Sequence, residues 1–340
     1  DSAVDLAGDA WIDVFTITVN DLPYEVTWTD ANSWQITVPI APGPNALTLK
    51  AYNNQGQEVG SDSITVTNTS ATQLANATNT AIRELHYHPA DPSAAEIAAG
   101  FTDADLFEFI EITNLSNTEV DLSGSAFTDG VAFTFPQGTL LAPGGSVLIT
   151  SNQPAFEFRY GAGGFVIAGQ YTGQLSNGGE QIRYVGADTN VIAEFSYGDE
   201  NPWPGSADGD GYSLVFSGGD PALPLNWRTS SSIGGNPGAD DGQPFNGTPD
   251  QLLDYALVGE PIATINGATL EMSFLQNLSA DDVIVIAEYS TNLSVWTPLT
   301  SGDLVSRTNQ GDGTTMITYL TPLSPVTEER QFVRVKLILR

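Results

Sequence analysis

The sequence predicts an all-β chain of three consecutive β-sandwiches, and three observations carry that prediction. Apolar and polar residues alternate with period two in run after run, the signature of half-buried strands. Glycine and proline, 34 and 20 residues, fall in turn-like pairs between those runs and not in low-complexity tracts. Two polar breaks, Asn68–Thr80 and Asn236–Pro249, divide the 340 residues into pieces long enough to bury separate cores. The expected boundaries are 1–68, 80–240 and 250–340.

In the first piece, Phe15, Ile17 and Val19 share one strand face, and Asn20-Asp21 begins a turn. Tyr24, Val26 and Trp28 follow, then Trp34, Ile36 and Val38, then Leu47, Leu49 and Ala51, and finally Ile64 and Val66. Five or more such strands in about 70 residues make a small antiparallel sandwich. Trp28 and Trp34 flank a short loop and could stack on a sugar, but both fall in register with the apolar set of their strands, which favours core packing. Val19-Asn20-Asp21, Pro44-Asn45-Ala46-Leu47 and Ala51-Tyr52-Asn53-Asn54-Gln55-Gly56 together resemble bacterial immunoglobulin-like modules, with Asp21 where a glycine is usual. The resemblance implies a spacer or adhesive unit.

In the second piece, alternation places Arg83, Leu85 and Tyr87 on one face and Ile82, Glu84, His86 and His88 on the other. Pro89 and Pro92 end that strand, and Ser93–Ala99 has room for a helical turn or two. Leu106–Asn114 is apolar on both faces, as a central strand covered on both sides would be. Its Glu108 and Glu111 are separated by an odd number, so they cannot form a carboxylate dyad within one strand.

The order of motifs here is specific. Ile82-Arg83-Glu84-Leu85-His86-Tyr87-His88-Pro89, Phe107-Glu108-Phe109-Ile110-Glu111-Ile112-Thr113-Asn114 and Val120-Asp121-Leu122-Ser123-Gly124 resemble the opening strand, central strand and following turn of bacterial lamin-tail domains. Phe135-Pro136-Gln137-Gly138-Thr139, Leu141-Ala142-Pro143-Gly144-Gly145, Leu175-Ser176-Asn177-Gly178-Gly179-Glu180, Trp203-Pro204, Asp208–Leu214, Trp227 and Gly234–Gly238 continue the pattern. The resemblance covers 80–240 and implies an immunoglobulin-like sandwich from a family that is not itself enzymatic. His88 departs from the family, where an asparagine is common.

In the third piece, Asn266-Gly267 is a strong hairpin signal ahead of Leu270, Met272 and Phe274. Val283–Tyr289 reads as a buried strand, and Val333, Val335, Leu337 and Leu339 share a face of the last one. A third sandwich, fibronectin-III-like, is expected. Glu288–Trp296 resembles a segment of the C-terminal modules of large secreted bacterial proteins. The order of the three pieces resembles the downstream part of bacterial proteins that carry a spore-coat-type kinase domain. The kinase signatures themselves are absent from this sequence.

Charge narrows the partners. The net charge of −31 reflects 10 basic residues against 41 acids, with lysine only at Lys50 and Lys336. Such a surface repels nucleic acid and anionic membranes. No stretch approaches the about 20 apolar residues of a membrane span, so no membrane insertion is expected. The absence of cysteine excludes disulfides and thiolate metal sites. The start, Asp1-Ser2-Ala3, has neither a charged nor an apolar leader region, as expected of a mature form or a fragment.

Three sets of residues carry candidate chemistry. Asp199, Asp208 and Asp210 stand among glycines in an oxygen-rich stretch suited to Ca²⁺, although aspartate and glycine are also ordinary turn residues. Glu84, His86 and His88, at i, i+2 and i+4, have divalent-metal spacing and would serve a metal-dependent hydrolase, although the run also matches a structural motif. Trp203, Tyr171 and Tyr212, with Trp11, are candidate sugar-stacking aromatics. G-x-S-x-G, P-loop and H-E-x-x-H patterns are missing. The expectation is therefore a non-catalytic, extracellular structural or adhesive array, part of a larger bacterial surface or secreted protein. Its partner would be an extracellular protein or polysaccharide; a carbohydrate-binding module is the alternative.

Overall fold

A computed structural model describes residues 3–69, 72–242, 245–266, 269–280, 283–322 and 330–339. The described chain is nearly all strand, in several separate antiparallel-rich sheets around three main apolar cores.

The N-terminal strands are β1 (Ala3–Asp9), β2 (Thr16–Val19), β3 (Leu22–Pro23), β4 (Thr27–Trp28), β5 (Ser33–Pro39), β6 (Gly43–Tyr52) and β7 (Glu58–Asn68). They form two sheets, β1-β5-β4 and β3-β2-β6-β7. Ile17, Val19, Trp34, Ile36, Val38 and Leu47 are buried between them, as alternation predicts. Phe15 and Trp28 are exposed instead. Phe15 precedes its strand, and Trp28 ends a two-residue edge strand with no sheet beyond it to cover the ring.

The middle strands are β8 (Gln73–Leu74), β9 (Thr80–His86), β10 (Phe109–Asn114), β11 (Val120–Asp121), β12 (Ala126–Asp129), β13 (Phe133–Thr134), β14 (Leu140–Leu141), β15 (Ser146–Thr150), β16 (Ile167–Gln170), β17 (Gln181–Val185), β18 (Val191–Ser196), β19 (Leu214–Phe216) and β20 (Trp227–Thr229). The sheet β16-β15-β10-β9-β19-β20 faces the sheet β13-β12-β17-β18 across a core rich in aromatic rings. Phe127 stacks on Tyr184 at 4.7 Å between centroids, and Trp227 lies among Phe195, Phe216 and Trp203. Helices α1 (Ala94–Ala98) and α2 (Gln153–Tyr160) lie toward the far side of the six-stranded sheet, where Phe109, Leu148 and Phe156 make a second core. That double cover is why β10 is apolar on both faces.

Glu96 ties the helices together. It closes a capping box with Ser93 at the start of α1 and takes a two-toothed ion pair from Arg159 of α2, at 2.7 and 3.1 Å. The guanidinium holds its carboxyl down at about 2, and also covers the Phe107 ring.

Both expected linkers prove partly structured. Gln73–Leu74 pairs in parallel with β11, and Thr72 bonds Glu119, so the middle sandwich recruits chain ahead of residue 80. At the other break, Asp241 is buried in an ion pair with Arg228 at 2.5 Å.

The C-terminal strands are β21 (Ile262–Asn266), β22 (Thr269–Asn277), β23 (Val283–Ser290), β24 (Thr297–Pro298), β25 (Leu304–Asn309), β26 (Thr314–Leu320) and β27 (Phe332–Leu339), preceded by α3 (Leu252–Ala256). They form sheets β21-β22-β26-β25 and β24-β23-β27 around Met272, Phe274, Val283, Ala287 and Tyr319. Asn266 pairs with Thr269 as a hairpin requires; Gly267 lies outside the described residues. Trp296 is half-buried, with the Arg334 guanidinium 4.1 Å above its ring.

Candidate functional site

A buried pair of acidic side chains lies on the outer face of the six-stranded sheet. In the β9–β10 pairing Glu111 faces Glu84, but Ile112 faces Ile82, so Arg83 is an extra residue, a β-bulge. The bulge corrects the face assignment made from strict alternation. Ile82 turns into the core with Leu85 and Tyr87, while Arg83 reaches the Phe216 carbonyl and Asp240. Glu84 and Glu111 are left side by side, both buried.

Each carboxylate is capped from the segment after β20. Glu84 accepts hydrogen bonds from the Ser213 hydroxyl and the Asn236 amide, and Glu111 accepts from the Gly238 amide at 2.6 Å. Burial, and then the neighbouring Glu111, push Glu84 up to about 8; burial raises Glu111 as well. A Cβ on Gly235, which has φ +74°, would collide with the Glu84 carboxylate, so only glycine lets this segment close over the pair. The two acids form a latch beneath the loop that closes over them.

The proposed metal trio is not brought together. His86 is fully buried against Phe109, its Nδ1 at 3.4 Å from the Tyr160 hydroxyl. That hydroxyl donates to the Gly234 carbonyl, which assigns the His86 proton to Nδ1 and leaves Nε2 a bare acceptor. Burial, followed by the Arg159 and His88 charges, pulls His86 down to about 3. His88 instead meets Asp208, Nδ1 to Oδ1 at 2.6 Å. That pairing engages Asp208 of the calcium trio. Among the described residues no three histidines or carboxylates are grouped to hold a metal ion, and neither Asp199, Asp208 and Asp210 nor Glu84, His86 and His88 is such a group.

The stacking aromatics are also corrected. Trp203, Tyr171 and Tyr212 are all buried, and Trp203 and Tyr171 belong to the main core. The Tyr171 hydroxyl donates to Glu108 at 2.7 Å, where the Leu175 amide also donates. Burial raises Glu108 to about 8. Of the four, Trp11 alone stands in solvent, at 86% exposure.

Trp11 marks a feature that alternation does not reveal. The N-terminal sandwich is open along one side, between β1 and β7, with a groove of about 590 Å³. Among the described residues, β1 pairs only with β5 and β7 only with β6, so the outer edge of β1 and that of β7 over residues 58–66 have no neighbouring strand. Leu6, Ile17, Trp34 and Leu49 form the apolar floor. Ile64, which lies opposite inward-facing Leu47, is 48% exposed because nothing covers it. Asp5, Asp9, Asp13 and Asp62 edge the opening.

Comparison with known proteins supports the middle sandwich alone. Residues 73–199 match the Lamin Tail Domain family. This agrees with the motif resemblance and begins within the break that had been expected to be a linker. No curated protein matches the chain. A solved structure of a DUF4876 family protein from Bacteroides thetaiotaomicron aligns over 67% of this chain and 92% of its own, at 15% identity and a TM-score of 0.29.

Proposed function

We propose that this chain is a non-catalytic structural and adhesive array within a larger bacterial surface or secreted protein. One observation carries the reading: the side chains with catalytic or metal-binding chemistry in the middle sandwich are engaged in holding the fold. Glu84 and Glu111 latch a loop, His86 is a neutral core residue, and Glu96 clamps two helices. The Lamin Tail Domain match over 73–199 fits a module of this kind.

The seam with the C-terminal sandwich supports a load-carrying role. Arg307 donates to the Pro224 carbonyl, Asn201 to the Leu304 carbonyl and Asn309 to the Thr229 hydroxyl. Leu225 packs against the C-terminal core. Burial, with Arg228 nearby, pulls the Arg307 guanidinium down to about 10, still charged at neutral pH. A hydrogen-bonded seam of this kind suits a spacer that keeps its shape.

The test is retention of beads coated with the chain on immobilised extracellular proteins and polysaccharides, against beads coated with heat-denatured chain. Specific retention is expected. Hydrolysis of phosphoester, glycoside or peptide substrates that needs zinc or calcium and is lost in Glu84→Gln would overturn the reading.

A further inference from the structure

The open side of the N-terminal sandwich has the shape of a seat for one more strand. It offers two unpaired strand edges, a hydrophobic floor between them, and no covering element among the described residues. An extended peptide uses such a place by adding its backbone to a free edge while alternate side chains fill the apolar trough. Both edges have the length for it: β1 runs seven residues and β7 eleven. A strand matched to β1 would send about three or four side chains inward.

Charge selects among occupants. Asp5, Asp9, Asp13 and Asp62 border the groove, and no cation among the described residues pairs with them; the ion pair of this sandwich, Lys50 with Asp21, is elsewhere. Among the described residues, the Asp5 and Asp9 carboxylates accept only from the Thr37 and Ser33 hydroxyls. Acidic edges discourage acidic strands, and a second copy of a chain with net charge −31 is disfavoured for the same reason. A sugar is less well matched, because the one ring in the floor, Trp34, is buried at 9% exposure among aliphatic side chains and only Trp11 is a freely exposed ring at the mouth.

We propose that the groove between β1 and β7 binds an extended strand of a partner protein, with apolar residues at alternate positions and lysine or arginine at its flanks. The partner strand extends the β1 sheet, closes the gap to β7 and places its basic flanks against the aspartates. This adds a partner to the adhesive reading, and peptide binding and bead retention are measured separately, so failure of one is distinct from failure of the other.

The experiment uses the full 340-residue chain and a fluorescent ten-residue peptide with valine at alternate positions and lysine at both ends. Its control has the same centre and aspartate ends. Anisotropy is expected to show saturable binding of the lysine peptide, at least tenfold weaker for the aspartate peptide, with hydrogen exchange slowed in 3–9 and 58–66. Ile64→Asp should weaken binding at least tenfold. Asp62→Lys, on an exposed position that leaves the fold intact, should narrow the preference between the two peptides.

Four results would overturn the proposal. They are equal binding of both peptides, or of neither; protection of both edges in the free chain, meaning the seat is filled from within the polypeptide; edge protection that appears only with self-association; and protection by a glycan but not by the peptide.

Discussion

The N-terminal and middle sandwiches are built from the same alternating strands, yet they manage their edges and acids in opposite ways. The middle one covers its six-stranded sheet on both faces and buries Glu84, Glu108 and Glu111 with hydrogen-bond partners. The N-terminal one leaves β7 exposed on both faces over most of its length and keeps every described acid in solvent. The middle sandwich therefore has much to lose from a single buried change, and the N-terminal one has surface to offer.

The largest contrast is expected from Asp241→Ala. It removes the buried carboxylate that pairs with the Arg228 guanidinium and the acceptor of the Ser231 amide and hydroxyl. Breaking a buried pair from one side costs about 3–5 kcal/mol. Calorimetry should show the middle transition falling by many degrees while the N-terminal transition stays in place; a shared shift would mean the two unfold as one unit.

Equivalent truncations sharpen the comparison. Ile110→Ala in the middle core is expected to cost about 2–5 kcal/mol in urea unfolding. Ile64→Ala, at a half-exposed groove position, should cost under about 1 kcal/mol, since little apolar surface is removed from water there to begin with.

pH separates the sandwiches more gently. An unfolded glutamate ionises near 4.5, whereas Glu84 and Glu108 keep their protons to about 8 in the fold. Between those values the unfolded chain binds fewer protons than the folded one, so stability falls as pH rises. The stabilisation is complete below 4.5 and lost as pH passes 8. The urea midpoint of the middle transition should decline across that window, with a shallower decline in Glu84→Gln. The N-terminal transition should hold nearly level.

Gly8→Ala is expected to have a small effect. Its Cβ would meet the Trp34 ring at 2.8 Å, but that ring borders the open groove and can shift. A loss of about 1 kcal/mol, with Trp34 fluorescence moving, would show the groove to be compliant.

Local pattern exposed most of the fold and little of the candidate site. Period two placed Ile17, Val19, Ile36 and Leu47 in one core and Met272 and Phe274 in another. The apolar run at Phe109–Ile112 anticipated a sheet covered on both faces. What failed was everything that depends on a neighbour distant in sequence. The Arg83 bulge reverses the face of Ile82, and alternation alone has no term for an inserted residue. Glu84 and Glu111 meet only through strand pairing, which the spacing of Glu108 and Glu111 within one strand could not disclose. Tyr171, Trp203 and Tyr212 sit in loops and short segments without periodicity, where nothing in the sequence distinguishes a buried ring from an exposed one. A missing neighbour is equally invisible: the residues of β7 read as an ordinary strand whether or not another lies beside it.

The loop latched onto Glu84 and Glu111 also has a mechanical meaning. It is part of the covalent route from the middle sandwich to the C-terminal one, so tension between the ends of the polypeptide that breaks the hydrogen-bonded seam between those two sandwiches passes along it next. The amides of Asn236 and Gly238 and the Asp241 carboxylate anchor that route to three separate strands, β9, β10 and β20. A pull from the C-terminal side reaches Asp241 first and meets these anchors one after another before it reaches the sheet. In the array proposed above, the buried acids would act as strain relief for the six-stranded sheet.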